Sequence, residues 1–302
     1  MGIVLGANQY GKAEVRVVRI IRDTPRHEIR DLCVSTALRG DFAAAHLTGD
    51  QSAVLPTDSQ KNTVYAFAKE RPPGEIEDFA LDLARHFVTE IPAVTGARVE
   101  IDEYAWERIE ADGRPHDHAF VRRGQEVRNT IVTVDESGGD GQRAWVLSGI
   151  KDLVVLKSTG SEFHGFYPDE YTTLTPTTDR ILATQLLARW RYAVAATDWA
   201  ACYAGVRSAL LTAFADTHSL ALQQSLHAMG AAALTACPEV AEMRLSAPNK
   251  HHFAVDLAPF GLDNPGEVFY AADRPYGLIE AAVTRDDAPD PGPAWQAVPG
   301  FA

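Results

Sequence analysis

Two short segments carry paired histidines, and histidine can bind a metal ion or transfer protons near neutral pH. The segment PNKHHF, residues 248–253, places His251 and His252 directly beside each other. If the pair opens a β-strand, the two side chains point to opposite faces, so a single ion cannot easily bind both. At most one of them is then functional, and a metal site, a proton relay and a polar strand start all remain open.

A second pair, His116 and His118, is separated by one residue, so both rings share a face if the segment is a strand. Zinc would also need a third ligand and an orienting carboxylate, which the sequence cannot identify. We therefore interpret this pair as a polar strand start, with a metal site as the less favoured alternative. The segment KSTGSEFHGF, residues 157–166, lacks the spacing of a phosphate-binding loop and is interpreted as a strand-to-loop transition.

Composition and charge limit the classes of function. The 302 residues are 46% hydrophobic and 23% charged, which is typical of a globular protein with one large core or two ordinary ones. A formal charge of −13 disfavours a nucleic-acid binder, which needs a basic face. No signal peptide or membrane-spanning apolar run is expected. Cys33, Cys202 and Cys237 are few and far apart, so we expect no disulfide framework, no zinc knuckle and a cytoplasmic location.

Alternating apolar residues in the first half predict antiparallel strands, and apolar residues at helical spacing predict two helices between them. One helix is predicted after Thr57 and Asp58, whose side chains would cap it, and it would end at Pro72-Pro73-Gly74. The other is predicted from Ile76 until Pro92. The predicted strands are residues 14–22, 32–38, 97–109, 118–124, 126–136 and 144–150, with a hairpin loop at Gly138–Gly141.

The second half repeats this plan. A strand at 188–194 precedes a helix with one apolar stripe, and a second helix follows. The stripes are Trp199, Cys202, Tyr203, Val206, Leu210, Ala213 and Phe214, and then Leu222, Leu226, Met229 and Ala233. Strands are predicted at 241–246, 251–257, 267–273 and 276–285, and the 281–302 tail is expected to lie over the surface. The chain is thus predicted to be α+β, with units 1–150 and 151–302, each an antiparallel sheet covered by a helix pair.

The segment LVVLKSTGSEFHGFYPDEYTTLTPTTDR, residues 153–180, resembles the signature of the urate oxidase (uricase) family. It has the LKST core, a phenylalanine four residues after Thr159, spaced aromatic residues and a final arginine. The segments NQYGKAEVRV, TDSQKNTVYAFAK, PNKHHF and AADRPYGLIE extend the resemblance, in order, across nearly the whole chain. It implies the tandem tunnelling fold (T-fold), a homotetramer whose sheets close into a barrel, and sites between subunits.

The resemblance also implies a reaction. Uricases oxidise urate with O2 and water to 5-hydroxyisourate and hydrogen peroxide, without a metal or organic cofactor. One alternative is a zinc-dependent T-fold pterin enzyme, against which the missing Cys/His ligand set argues. Another is a non-catalytic purine-binding protein, which the presence of all the family's relay residues disfavours.

The family pattern implies that the catalytic proton relay consists of Lys12, Thr57 and His251. Urate must lose a further proton before it can donate an electron to O2, so a base is required. The hydroxyl of Thr57 would pass the proton between lysine and substrate, and His251 would continue the relay to water. His252 is then expected to be structural, and Lys250 has no assigned role.

The substrate-binding residues implied by the resemblance are Asp58, Phe163, Arg180, Leu222, Gln223 and Asn249. The planar fork of Arg180 can give two parallel, charge-assisted hydrogen bonds to one edge of the urate anion. The amide of Gln223 can both donate and accept at the opposite edge, and the ring of Phe163 can stack on the purine. Asn249 is implied to hold O2 or the attacking water, while Leu222 and the backbone near Thr57-Asp58 complete the pocket.

Overall fold

A computed structural model of the chain describes residues 2–71, 73–136, 141–194 and 198–296. The chain divides into two compact units. The first consists of the chain up to Gly149, Arg191–Ala200 and the chain from Pro289 onward, and the second consists of Ile150–Trp190 and Ala201–Ala288. The expected organisation into domains 1–150 and 151–302 stays a prediction.

The first unit contains long antiparallel strands in the order β1-β2-β3-β4. Alternate residues face opposite sides: Val99 and Ile101 are fully buried, while Arg98 and Glu100, at the alternate positions, form an ion pair of 3.3 Å. This is the alternation from which the strands were predicted. The strands are β1 (Tyr10–Ile21), β2 (Glu28–Gly40), β3 (Val94–Ala111) and β4 (Arg114–Asp135), and β5 (Arg143–Lys157) begins in this unit.

The predicted strands 118–124 and 126–136 form one strand, β4, rather than two. Gly124, the last residue of the first of these predicted strands, has φ +57°, and the register with β3 shifts between Tyr104 and Trp106. A bulge of this kind interrupts the alternation without ending the strand, which explains why the pattern indicated a break. Apart from Gly141, the predicted hairpin loop Gly138–Gly141 lies outside the described residues.

The described part of the first unit contains three complete helices: α1 (Ala43–Leu47), α2 (Thr57–Glu70) and α3 (Ile76–Glu90). The apolar residues at helical spacing that predicted α3 are buried: Ile76, Phe79, Ala80, Leu83 and Phe87. The predicted cap of α2 was wrong, because Pro56 is the N-cap and no side chain caps the helix. The carboxylate of Asp58 instead accepts hydrogen bonds from Lys61 and Asn62. The helix ends at Glu70, close to the predicted stop at Pro72-Pro73-Gly74. Pro72 itself lies outside the described residues.

In the second unit the strand order is β5-β6-β7-β10, with β8 and β9 as a separate two-stranded sheet. Strands predicted at 251–257 and 267–273 were too long, because the side chain of Asn264 bonds the backbone at both Val255 and Val268 and turns the chain. The elements are β6 (Leu182–Tyr192), α4 (Trp199–Asp216), α5 (Leu222–Ala236), β7 (Val240–Pro248), β8 (His252–Ala254), β9 (Phe269–Ala271) and β10 (Leu278–Thr284). None of the helices in the described part of the chain has the length and apolar character of a membrane span.

Cys202 in α4 and Cys237 directly after α5 form a disulfide, with their Cα atoms 5.6 Å apart. The expectation that no two cysteines pair was therefore wrong. The partners are 35 residues apart in sequence, and only the folded helices bring them together. Cysteine usage consequently no longer supports a reducing compartment.

The C-terminal segment also differs from its prediction as a surface tail. Its first residues belong to β10, and Ala294 is buried against Ile131 and Leu147 of the first unit. Trp145 and Trp295 pack against the same cluster. The Asp, Pro and Ala content of this segment predicted a solvated tail, but a Cβ at Gly292 would lie 2.9 Å from the indole nitrogen of Trp145, so the small residue there permits a close approach.

A buried carboxylate joins α3 to β4 and β5 in the first unit. Glu77 is fully buried, lies 2.7 Å from the guanidinium of Arg128 and accepts the hydroxyl of Ser148 at 2.5 Å. Arg128 also lies 2.6 Å from Glu75 and 3.8 Å from Glu103. Burial raises the pKa of Glu77, and the charge of Arg128 opposes that rise. The carboxylate therefore depends on Arg128 to remain charged.

We expect Arg128→Met to lower the free energy of unfolding by about 3–5 kcal/mol, because it leaves a buried carboxylate without its cation. A carboxyl group whose pKa is higher in the folded state than in the unfolded state destabilises the fold at pH values above its unfolded-state pKa. The loss of unfolding free energy in Arg128→Met should therefore be largest at about pH 8. It should be smaller at about pH 5, where Glu77 takes up a proton. Urea unfolding at both pH values measures this.

The control is Arg26→Met, because Arg26 and its partner Asp117 are each 51% exposed. Removing that pair should cost at most about 1 kcal/mol. Equal losses in the two variants would contradict the proposed role of Arg128.

Candidate functional site

Phe163 and Arg180 lie together in the second unit. The N–H of Phe163 donates to the carbonyl of Thr177 at 2.9 Å, and the N–H of Thr177 donates back at 3.0 Å. The N–H of Arg180 donates to the carbonyl of Ser161 at 2.9 Å. As a result, the guanidinium carbon of Arg180 lies 5.1 Å from the centre of the Phe163 ring. A planar cation and an aromatic ring are thus held side by side.

Ser161 is the residue that connects this pair to the rest of the unit. It is fully buried and forms an isolated parallel bridge with Ser219. The N–H of Glu162 donates to the carbonyl of Ser219 at 2.7 Å, and the N–H of Ser219 donates to the carbonyl of Gly160 at 2.9 Å. The hydroxyl of Ser161 lies 3.4 Å from the Nε of Arg180. The 160–162 segment is therefore paired with the connection between α4 and α5.

That connection leads directly to two further predicted binding residues, Leu222 and Gln223, in the first turn of α5. Leu222 is buried and Gln223 is exposed. The hydroxyl of Ser225 donates to that of Ser219 at 2.8 Å, and the N–H of Leu220 donates to the side-chain oxygen of Gln224 at 2.8 Å. These bonds fix the start of the helix. The roles of Ser219 and Ser225 were not predicted, since serines in a loop carry no distinctive sequence signal.

Asn249 follows β7 and is held by its backbone on both sides. Its N–H donates to the carbonyl of Gly277 at 2.8 Å, and it forms an isolated bridge with Thr184 of β6. The N–H of Lys250 donates to the carbonyl of Ala183 at 2.8 Å. The segment before the two histidines is therefore anchored to β6.

His251 lies just before β8, so the prediction that it opens the strand was wrong by one residue. Its ring stacks on Phe253 with the centroids 5.7 Å apart. Burial lowers the pKa of His251, and the positive charges of Arg180 and His252 lower it further. The imidazole is consequently neutral at pH 7 and can accept a proton. His252 interacts through its Nδ1 with the carbonyl of Lys250 at 3.0 Å.

Burial also lowers the pKa of Arg180 itself. The shift does not change its charge, since an arginine side chain remains protonated in proteins. A partly desolvated guanidinium binds an anion more strongly than a fully hydrated one, because less water has to be removed.

The first unit carries Lys12, Thr57 and Asp58. The N–H of Lys12 in β1 lies 3.3 Å from the hydroxyl oxygen of Thr36, which donates to the side-chain oxygen of buried Gln60 at 2.8 Å. Gln60 stands one turn after Thr57 in α2, so this chain of bonds connects the lysine strand to the threonine helix. Thr36 and Gln60 were not predicted, because their partners are distant in sequence.

Asp58 is exposed and has two partners on its own helix. Its carboxylate pairs with Lys61 and accepts the amide of Asn62 at 3.2 Å. The bond and charge of Lys61 lower the pKa of Asp58, and the charge of Lys12 contributes in the same direction. Lys12 therefore acts electrostatically on the start of α2.

A β-bulge follows Lys12. The register of β1 with β2 shifts between Lys12 and Val15, and Glu14 has φ +56°. The N–H of Glu14 donates to the hydroxyl of Ser35 at 3.0 Å. On the other side of the lysine, a Cβ at Gly11 would lie 1.7 Å from the carbonyl oxygen of Thr36, so only glycine fits there. A glycine inside a strand pattern was the available signal for this close approach.

The predicted residues are divided between the two units. Lys12, Thr57 and Asp58 belong to the first unit, and Phe163, Arg180, Leu222, Gln223, Asn249 and His251 belong to the second. Their individual roles in binding and catalysis stay predictions.

The other histidine pair lies in β4, as expected. The rings of His116 and His118 are 4.5 Å apart between centroids, and the N–H of His118 donates to the Nδ1 of His116 at 3.2 Å. Across the described ranges, no group of three or more His, Cys, Asp or Glu residues is arranged to hold a metal ion.

Comparison with known proteins gives consistent matches. A sequence model of the family "Uricase" matches residues 8–133 and 146–280. The uricase of Arthrobacter globiformis is 54% identical over 299 residues, which is 99% of this chain and 96% of that protein. The uricase of Danio rerio is 37% identical over 281 residues, which is 91% of this chain and 93% of that protein.

Solved structures agree. The crystal structure of the Arthrobacter globiformis uricase has a TM-score of 0.92 at 54% identity, covering 98% of this chain and 99% of that chain. A uricase from Bacillus fastidious has a TM-score of 0.82 at 26% identity, covering 94% and 96%. The antiparallel sheets and helix pairs, together with these solved structures, define an α+β protein with the T-fold. The uricase relatives place it among the oxidoreductases. The chain belongs to the uricase family.

We expect Glu14→Gly to raise the free energy of unfolding by about 1 kcal/mol, because glycine adopts positive φ without the steric cost that a side chain has there. Urea unfolding measures the change. The matched control is Ala13→Gly, because Ala13 directly precedes Glu14 and does not have positive φ. That variant should lose roughly 0.5–1 kcal/mol through backbone entropy. If both substitutions shift stability in the same direction, the bulge is not strained at Glu14.

Proposed function

We propose that this protein oxidises urate with O2 and water to 5-hydroxyisourate and hydrogen peroxide. The observation that carries the proposal is the guanidinium of Arg180 beside the ring of Phe163. A flat anion needs both an aromatic face and a planar donor pair, and urate supplies the matching shape and charge. Membership of the uricase family supports the same substrate.

In the proposed complex, Arg180 donates two parallel hydrogen bonds to one edge of urate while Phe163 stacks on its face. Gln223 is exposed at the start of α5, so its amide is available to the opposite edge. Leu222 and the backbone near Thr57-Asp58 of the neighbouring subunit complete the pocket wall, and the amide of Asn249 holds O2 or the attacking water.

The proposed chemistry begins with removal of a proton from bound urate. Lys12, Thr57 and His251 form the relay that takes this proton, and the lowered pKa of His251 keeps its imidazole ready to accept one. The doubly deprotonated ring gives two electrons to O2, which leaves as hydrogen peroxide after taking two protons. Water adds to the oxidised ring to form 5-hydroxyisourate. Since urate itself supplies the electrons, the proposed reaction requires no metal or organic cofactor.

The direct test mixes the protein with urate in air-saturated buffer after prolonged dialysis against a chelator. We expect urate absorbance to fall and one hydrogen peroxide to form per urate consumed. Binding without loss of absorbance would instead indicate a purine-binding protein. Activity that disappears on dialysis and returns with a metal ion would indicate a metal-dependent enzyme.

We further propose that the chain forms a homotetramer, with sheets closed into a barrel and sites at subunit interfaces. Large apolar side chains support association, since Tyr167, Tyr171 and Phe260 are 91%, 80% and 74% exposed in the single chain. Neither nucleic acid nor a membrane is proposed as a partner. The cytoplasmic location stays a prediction from the sequence.

We expect Lys12→Met to bind urate but to turn over about 10²–10⁴-fold more slowly, which is the usual contribution of general base catalysis. Arg180 and Phe163 still hold the ring in this variant. Equilibrium dialysis measures binding and peroxide formation measures kcat. Lys69→Met, at an exposed position of α2, is the control and should keep normal kcat. Near-normal turnover in Lys12→Met would refute its role as the base.

Mixed tetramers test whether sites are shared between subunits. Thr57→Ala and Arg180→Gln should each be nearly inactive, and co-refolding them in equal amounts should restore roughly a quarter of wild-type activity. Random pairing across a two-fold interface leaves about a quarter of the sites with an intact Thr57 from one subunit and an intact Arg180 from the other. The parents refolded separately and then mixed are the control. Mixed tetramers as inactive as their parents would contradict the shared-site proposal.

A further inference from the structure

The carboxylate of Glu162 bridges two histidines beside the proposed substrate residues. Its Oε2 lies 2.8 Å from the Nε2 of His164, and its Oε1 lies 2.5 Å from the Nε2 of His218. A carboxylate only accepts hydrogen bonds, so both histidines direct an N–H at it. These bonds, first that of His218 and then that of His164, lower the pKa of Glu162. The carboxylate is consequently charged at neutral pH.

The two histidine contacts differ in what they connect. His164 stands two residues from Glu162 in the same loop, so that contact is local. His218 is 56 residues away, in the connection between α4 and α5. Only the contact with His218 joins two separate segments of the second unit.

The backbone connection between these segments is short. The bridge of Ser161 with Ser219 is an isolated pair rather than part of a ladder. The ammonium group of Lys157 adds a bond to the carbonyl of Thr217. A single bridge fixes the register of two segments but resists their rotation weakly, since it has no flanking ladder bonds. The side-chain contact of Glu162 with His218 is a further attachment next to the bridge.

We propose that Glu162 is a positioning residue for urate binding, which acts by holding the loop of Phe163 to the connection that leads to Gln223. Phe163 is the next residue after Glu162, and Gln223 stands five residues after His218. Nothing in this role requires Glu162 to touch urate. The inference rests on the proposed function, because the proposed function assigns both Phe163 and Gln223 to urate binding.

This role has a specific kinetic consequence. Without the contact, only a fraction of molecules has the two segments aligned for binding, and the apparent affinity falls by that fraction. Once urate is bound, its own contacts with Phe163 and Gln223 align them. KM should therefore rise while kcat at saturating urate stays nearly unchanged.

The test compares Glu162→Ala and His218→Ala with His164→Ala, the matched control that loses only the local contact. We expect KM to rise roughly 1.5- to 5-fold in the first two variants, as loss of an exposed ion pair allows, with little change in the control. The double variant Glu162→Ala/His218→Ala should be no worse than either single one, because both remove one interaction. Glu162→Gln, which keeps the side-chain size, serves if an alanine variant fails to fold.

The dissociation constant for xanthine, a planar purine with a similar carbonyl pattern, provides a readout without turnover and should rise with KM. Unchanged KM in His218→Ala, additive effects in the double variant, or a fall in kcat at constant KM would each overturn the positioning role. Failure of the proposed function would look different: the wild-type protein would not consume urate at all.

Discussion

Backbone pairing at Ser161 is the interaction on which the candidate site of the second unit depends. Ser161 is fully buried, and its carbonyl accepts the N–H of Arg180 while its neighbours exchange bonds with Ser219. A buried backbone group without a partner is costly, so these bonds define one arrangement of the segments they join. Phe163 and Arg180 are then aligned by the main chain, and their side chains need little further ordering.

Arg180 has two electrostatic effects in this arrangement. Its guanidinium is the anion-binding group of the proposed site, and its charge also lowers the pKa of His251. A bound anion would neutralise that charge and remove part of the effect. Substrate binding would then make His251 a better proton acceptor, so binding and proton transfer are coupled through one side chain in the proposed mechanism.

The first unit places its lysine by a different physical means. Gly11 lets the backbone of β1 approach the carbonyl of Thr36, at a distance that excludes any side chain. The bulge at Glu14 then shifts the register directly after Lys12. A strand with regular pairing would follow the alternation of the sheet, so the irregular geometry is what sets the direction of this segment.

The sequence by itself determined the T-fold class, the membership of the uricase family, the helix stripes and most strands. These properties depend on the period of apolar residues and on long ordered motifs, which are local in the chain. Tertiary structure decided the pairing of Cys202 with Cys237 and the burial of Ala294, since their partners are distant in sequence. It also decided the hydrogen bonds that orient the site. A loop serine or glutamate such as Ser161 or Glu162 gains its role only from a partner that folding brings within hydrogen-bonding distance.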